Sequence, residues 1–206
     1  MTHPSYPERF LDIDDEQYHE KCPFFEAKHV TDNEGIWADF LDVSTNELKE
    51  RKVWRKNKLV SLKDSNILFK DGKPRTPIYT GLKGRGLLGK YGPNHAADPI
   101  LTRYNSEKND YEFIGILRAD VDEWAIPGGM VDPGEQAPIA LKREFCEEVT
   151  GNVQSDLIDE IFNNGEVLYA GPTLGDPRTT DNSWIETYVV HFHISNKLAK
   201  KIVFKP

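Results

Sequence analysis

The stretch from Trp124 to Gly151, WAIPGGMVDPGEQAPIALKREFCEEVTG, constrains the fold more than any other part of the chain. Trp124-Ala125-Ile126 reads as a short strand, and Pro127 ends it. A glycine pair and a Pro-Gly turn follow. From Pro138, a residue tolerated in a first helical turn, the pattern becomes helical up to Val149, with Gly151 as a stop. Leu141, Phe145 and Val149, at i, i+4 and i+8, form an apolar stripe that has to dock on a sheet.

The same helix carries Glu144, Glu147 and Glu148, which at about 100° per residue share one sector roughly 100° wide. Like charges so placed repel by ~0.2–0.5 kcal/mol per pair on an exposed surface, and by more beside an apolar stripe. A hard cation removes that penalty, and oxygen donors alone suit Mg²⁺ or Mn²⁺ with a substrate phosphate. The plainer reading is a solvated acidic face with Arg143 as its partner. The loop before the helix weighs against it, because Gly128-Gly129 to Glu135 can bring backbone carbonyls and one more carboxylate to the same point.

Strands flank this unit. Asp98 to Tyr104, Tyr111 to Arg118 and Glu166 to Ala170 are rich in apolar residues. Trp184 to Ile194 alternates: Trp184, Glu186, Tyr188, Val190, Phe192 and Ile194 share one face, with Ile185, Thr187, Val189, His191 and His193 on the other. The order predicts an α/β sandwich around a mixed sheet. We expect residues 1–47 to be a loosely structured lead-in, packing through Phe24, Phe25, Trp37 and Phe40. A β-rich N-terminal subdomain is expected over 48–92, and the catalytic domain over 93–206. KERKVWRKNK, residues 49–58, reads as a solvated edge anchored by Trp54, and Asp71-Gly72 as a hairpin turn.

Gly84-x-Gly86-x-x-Gly89 has the spacing of a dinucleotide fingerprint, which has meaning only between a strand and a helix. Gly92-Pro93 follows too soon for a helix to run on, so that reading is rejected. Arg85, His95, Asp98 and Thr102 are the polar substrate-binding candidates of the block 80–104. GDPRTTDNSW, residues 175–184, is loop chemistry without a period.

Taken together, Gly129, five residues, Glu135, seven residues and then Arg143-Glu144-Phe145-x-Glu147-Glu148 resembles the signature of the Nudix hydrolases. One position departs: Thr150 stands where the family usually has Gly. GRGLLGKYGPNHAADPILTRY, EWAIPGGMVDPGE and GDPRTTDNSWIET further resemble the ADP-ribose pyrophosphatase branch, and the ADP-ribose-sensing domain of a TRPM-type cation channel. The resemblance implies a Nudix-type α/β/α sandwich and metal-dependent cleavage of ADP-ribose to AMP and ribose 5-phosphate. It implies Glu144, Glu147, Glu148 and the Gly129 carbonyl as metal ligands, with Glu144, Glu148 and Arg143 catalytic. Arg178 is the candidate for gripping a phosphate, because a guanidinium can bind two oxygens at once. Asp176 and Asp181 would bind ribose hydroxyls or hold Arg178, and Asn182 joins the substrate set. In the channel sensor the positions matching Glu144 and Phe145 are altered; keeping both favours an enzyme over a binding-only sensor. Cleavage of NADH or a nucleoside-diphosphate sugar is the other alternative.

The family's chain normally runs on through a further strand and a helix that covers one sheet face. SNKLAKKIVFKP does not resemble that tail, so a truncated form with exposed apolar area is expected. The formal charge of −8 speaks against wholesale nucleic-acid binding. Two cysteines in 206 residues suggest a reducing compartment, and Cys146 reads as a buried thiol. No apolar run approaches the ~18 residues of a membrane span, and the acidic start lacks a targeting pattern. A cytoplasmic monomer acting on a small molecule is the expectation.

Overall fold

The computed structural model of the protein describes residues 25–26, 38–76, 80–119, 122–150 and 155–205. Phe24 and Trp37, expected as packing residues, lie outside this set, as does the side chain of Phe25. The described chain forms two compact units: residues up to Asn94 with 171–186, and 95–170 with 187–206.

In the first unit, Ser44 caps the helix Thr45–Glu50 by accepting from Glu47 N at 3.2 Å. Lys52–Arg55 pairs antiparallel with Lys58–Ser61 across Lys56-Asn57, whose φ angles of 51° and 60° fit a primed two-residue turn. The basic run 49–58 therefore includes a hairpin, with Val53 and Trp54 buried and the lysines Lys52, Lys56 and Lys58 in solvent. Val53, Leu62 and Trp184 make the small core of this unit. Asp71-Gly72 turns the Phe69–Lys70 and Lys73–Pro74 ladder as expected. Gly86–Leu88 is one 3-10 turn rather than a nucleotide-binding helix, and the next element is a strand. Phe40 does not pack; it is 56% exposed, and it is Ala38 and Leu48 that go inside.

The second unit contains the main core. Gly129–Met130, Gly92–Asn105, Ser183–His193 and Glu166–Pro172 lie side by side in one sheet, and Asp110–Phe113 also pairs with Gly92–Asn105. The strand expected from Asp98 starts six residues earlier, at Gly92. The single strand expected over 111–118 breaks at Ile114-Gly115, and Ile116–Arg118 pairs with Glu123–Ala125 in a separate hairpin. Alternation along Ser183–His193 holds from Tyr188 onward, whereas residues 184–187 are buried on both faces.

The helix Ala137–Phe145 has Pro138 in its first turn, as the sequence suggests. Its stripe of Leu141 and Phe145, continued by Val149, packs into one cluster with Leu101, Val190 and Phe192. Burying a side chain such as Phe145 stabilises by roughly 1.5–3 kcal/mol. After the sheet, Ser195 caps the single turn Asn196–Ala199, and Leu198 and Ile202 enter the same core. The segment 195–205 thus packs more than expected, yet apolar area does remain open. A groove of about 450 Å³ is lined by Leu101, Phe113, Trp124, Ile194, Ile202 and Phe204, with Trp124 76% exposed. No described helix is long and apolar enough to cross a membrane.

Candidate active site

The site is built where Gly129–Met130 pairs with Ala97 and Ala96 and turns toward the helix Ala137–Phe145. Gly128 N–H donates to Glu148 Oε2 at 2.8 Å, tying loop to helix end. A Cβ on Gly129 would stand 2.6 Å from the Glu144 carboxylate, so that carboxylate lies directly on the glycine backbone. Only glycine leaves room for it. Beyond Phe145 the expected α-helix widens into a π-helical turn, Cys146–Thr150, which carries Glu147 and Glu148. Such turns occur frequently at functional sites.

Arg143 organises the carboxylates. Its Nε and Nη2 donate to the two oxygens of Glu135 at 3.0 and 2.9 Å. Nη1 donates to Glu144 at 2.8 Å and Glu147 at 3.3 Å, and Nη2 also reaches the Met130 carbonyl at 2.8 Å. Arg143 hydrogen bonding holds the Glu135 carboxyl below its usual range. Glu144 moves the other way: burial pushes its carboxyl up, opposed by Arg143, and it is only 8% exposed. Two neighbouring acids are thereby driven apart, a pattern found at sites of proton transfer.

Among the described residues no three or more His, Cys, Asp or Glu side chains converge into a ready metal cage. The reason is local, since Arg143 draws Glu135, Glu144 and Glu147 to itself while Gly128 takes Glu148. The donor chemistry still fits a hard divalent cation. Glu144, Glu147 and Glu148 offer oxygen alone, and one guanidinium leaves negative charge in excess.

The remaining sequence candidates fall into three settings. Asp98 is half-buried against Gly128, accepts a bond from the Thr187 hydroxyl, and burial raises its pKa. Thr102 Oγ1 bridges His191 Nε2 at 2.7 Å and His193 Nδ1 at 3.0 Å, and His95 is half-buried with its carbonyl accepting from Val131 N at 2.8 Å. In the other unit, Asp176 grips Arg178 at Nε and Nη2, 3.1 and 2.9 Å, so the holding role expected of Asp176 is what the geometry displays.

Asp181, Asn182 and Arg85 depart from the expectation of ligand contact. Asp181 and Arg85 are 0% exposed and Asn182 is 6% exposed. Asp181 Oδ1 accepts from Thr80 N at 2.5 Å, Thr80 Oγ1 at 2.9 Å and Gly81 N at 3.2 Å. Asn182 takes Gly84 N and donates to the Pro74 carbonyl, both at 2.9 Å. Asp181 and Asn182 are spent on holding Pro74, Thr80, Gly81 and Gly84, and Asp181 does not hold Arg178.

Comparison with known proteins agrees with the loop-and-helix geometry. Residues 100–200 match the model of the NUDIX domain. These residues carry a NUDIX domain. It is 53% identical over 135 residues to "Putative nudix hydrolase 6" of Caenorhabditis elegans, covering 65% of this chain and 51% of that protein. It is 41% identical over 158 residues to "ADP-ribose pyrophosphatase, mitochondrial" of Rattus norvegicus, 65% of this chain and 45% of that one. A region of "Transient receptor potential cation channel subfamily M member-like 2" of Nematostella vectensis is 46% identical over 149 residues, 63% of this chain and 10% of the channel. The chain thus spans about half the length of the two enzyme-named relatives.

Two further residues shape the site of this Nudix domain. Glu135, in the sequence one more carboxylate of the loop, takes two of the bonds that orient Arg143. Its place in the spacing pattern was the available signal. Thr187, which donates to Asp98, sits on a strand face that alternation alone marks as ordinary sheet surface.

Proposed function

We propose that this Nudix domain hydrolyses the diphosphate bond of ADP-ribose, giving AMP and ribose 5-phosphate. The observation that carries this reading is the Glu144 carboxylate, buried on the Gly129 backbone and held by Arg143 at 2.8 Å. The rat relative's name supplies the substrate. A bound Mg²⁺ or Mn²⁺, held by Glu144, Glu147, Glu148 and the Gly129 carbonyl, would neutralise phosphate charge and acidify a water. Glu144, buried on the Gly129 backbone, is the group that accepts the proton of the attacking water. Arg143 keeps that carboxylate aimed, and Gly128 N–H keeps Glu148 on the same side. Arg178 binds a phosphate, its guanidinium already oriented by Asp176. A small-molecule substrate needs no partner protein, and the sparse cysteines fit a cytoplasmic setting.

The second reading is a binding-only ADP-ribose sensor, favoured by the 46% identity to a region of the sea-anemone channel protein. Product analysis with ADP-ribose and Mg²⁺ separates the two. Release of AMP by the wild type and its loss in Glu148→Gln supports the hydrolase. Tight ADP-ribose binding without AMP supports the sensor, and a Glu148→Gln variant as active as wild type removes the proposed metal site.

A further inference from the structure

We propose that Lys205 is a positioning residue for the carboxylate-bearing turn, clamping the backbone that presents Glu147 and Glu148. This rests on the metal-dependent hydrolase reading above. The turn Cys146–Thr150 follows the helix Ala137–Phe145, and two of its carbonyls accept from a donor far along the chain. Lys205 is that donor. Its backbone N–H donates to the Val149 carbonyl at 2.7 Å, and Nζ donates to the Glu147 carbonyl at 3.0 Å. A cation at a helix C-terminus also opposes the negative end of the helix dipole.

The segment that delivers Lys205 is anchored. Leu198 and Ile202, each 7% exposed, share the core cluster that contains Phe145 and Val149. Val203 and Phe204 are 72% and 60% exposed, so apolar burial does not bring residues 203–205 to the turn. The Lys205 bonds do. On the opposite side Gly128 N–H holds the Glu148 carboxylate at 2.8 Å. Lys205 therefore fixes the turn by its backbone and Gly128 fixes it by a side chain. Rewinding the π-helical turn toward an α-helix would change the direction in which both glutamates project. Lys205 bonds to the backbone of the turn, and its effect passes through that backbone.

The test uses Lys205→Arg, which keeps a cation and the N–H, Lys205→Met, which loses Nζ, and Lys205→Pro, which loses both donors. Mn²⁺ binding to the substrate-free protein is followed by the EPR signal of free Mn²⁺. Values of kcat and KM for ADP-ribose and the thermal midpoint are measured beside it. We expect the Mn²⁺ dissociation constant to rise about fivefold in Lys205→Met and about 20-fold in Lys205→Pro, each bond counted at its usual net worth. Lys205→Arg should behave as wild type, KM should stay unchanged, and the midpoint should move little. Wild-type Mn²⁺ affinity and kcat in Lys205→Pro would overturn the proposal. So would losses that track the thermal midpoint and are not rescued by Arg, because they mark a merely covering segment. A wild type that binds Mn²⁺ without cleaving ADP-ribose defeats the hydrolase reading, while the Mn²⁺ series still decides the role of Lys205. A wild type that binds no Mn²⁺ overturns both.

Discussion

Asp181 and Glu186 in one compact unit, and Glu135, Glu144, Glu147 and Glu148 in the other, are two acidic groups whose charges are met in different ways. Asp181 and Glu186 are 0% exposed, and each takes hydrogens from fixed groups. Thr80 and Gly81 serve Asp181, while Trp54 N at 2.6 Å and the Trp184 indole at 3.1 Å serve Glu186. Arg75 stands 3.5 Å from Asp181, and Arg55 stands 3.4 Å from Glu186. The other group shares a single guanidinium, and the Glu147 side chain is 59% exposed. A carboxylate buried on fixed backbone and side-chain donors has become part of the scaffold. Carboxylates left in excess around one cation retain the capacity to take up another.

The largest expected effect tests the second group. Glu148→Gln keeps the shape and removes the charge, and kcat for ADP-ribose should fall about 10³-fold with the unfolding midpoint nearly unchanged. Asp181→Ala is the mirror image. It strands the buried Thr80 and Gly81 donors, so urea unfolding should show a loss of about 3 kcal/mol. Whatever folded protein remains should turn over with ordinary kcat. A Glu148→Gln variant that unfolds early, or an Asp181→Ala variant that is stable but inactive, breaks the comparison.

Gly129→Ala comes next, because it perturbs placement without touching charge. Its Cβ would lie 2.6 Å from the Glu144 carboxylate, which has to swing away or drag the loop with it. A displacement of that size at a reacting group costs about 10² in rate, and steady-state kinetics at saturating Mg²⁺ would show it in kcat. Unchanged kcat would mean that the position of Glu144 on this backbone is incidental.

The second acidic group was largely legible in the sequence and the first was not. The Gly129, Glu135, Arg143, Glu144, Glu147 and Glu148 pattern is local: a tight loop and one helix bring these residues together whatever the rest of the chain does. Asp181, Asn182 and Arg85 looked like ligand contacts because polar residues amid glycines and prolines read as exposed loop. The partners of Asp181 and Asn182 include backbone groups about 100 residues away, such as Thr80 N for Asp181, and nothing in a sequence shows where unpaired backbone N–H groups will face. The π-helical turn escaped notice for another reason. A period of about 3.6 is assumed when the helix is drawn, and one inserted residue leaves the apolar stripe nearly intact. Likewise, the alternation of Ser183–His193 forecast the sheet faces from Tyr188 onward. It failed at 184–187, where both faces are covered.

Asp98 lies between the two cases and yields the smallest effect. Burial raises its pKa above 3.8, opposed by the Thr187 hydroxyl, so the folded protein holds its proton at pH values where the unfolded chain has released it. Stability then falls as pH rises through the window from 3.8 upward, and above the raised pKa the penalty is complete. Asp98→Asn removes the charge and can retain the bond with Thr187. Its urea midpoint should exceed that of wild type slightly at pH 7, and the difference should vanish below pH 3.8, where both side chains are neutral. A lower midpoint for Asp98→Asn at pH 7 would place this carboxylate with Asp181 among the scaffold charges. A higher one places it with Glu144, as a charge kept at some cost beside the Gly128 loop.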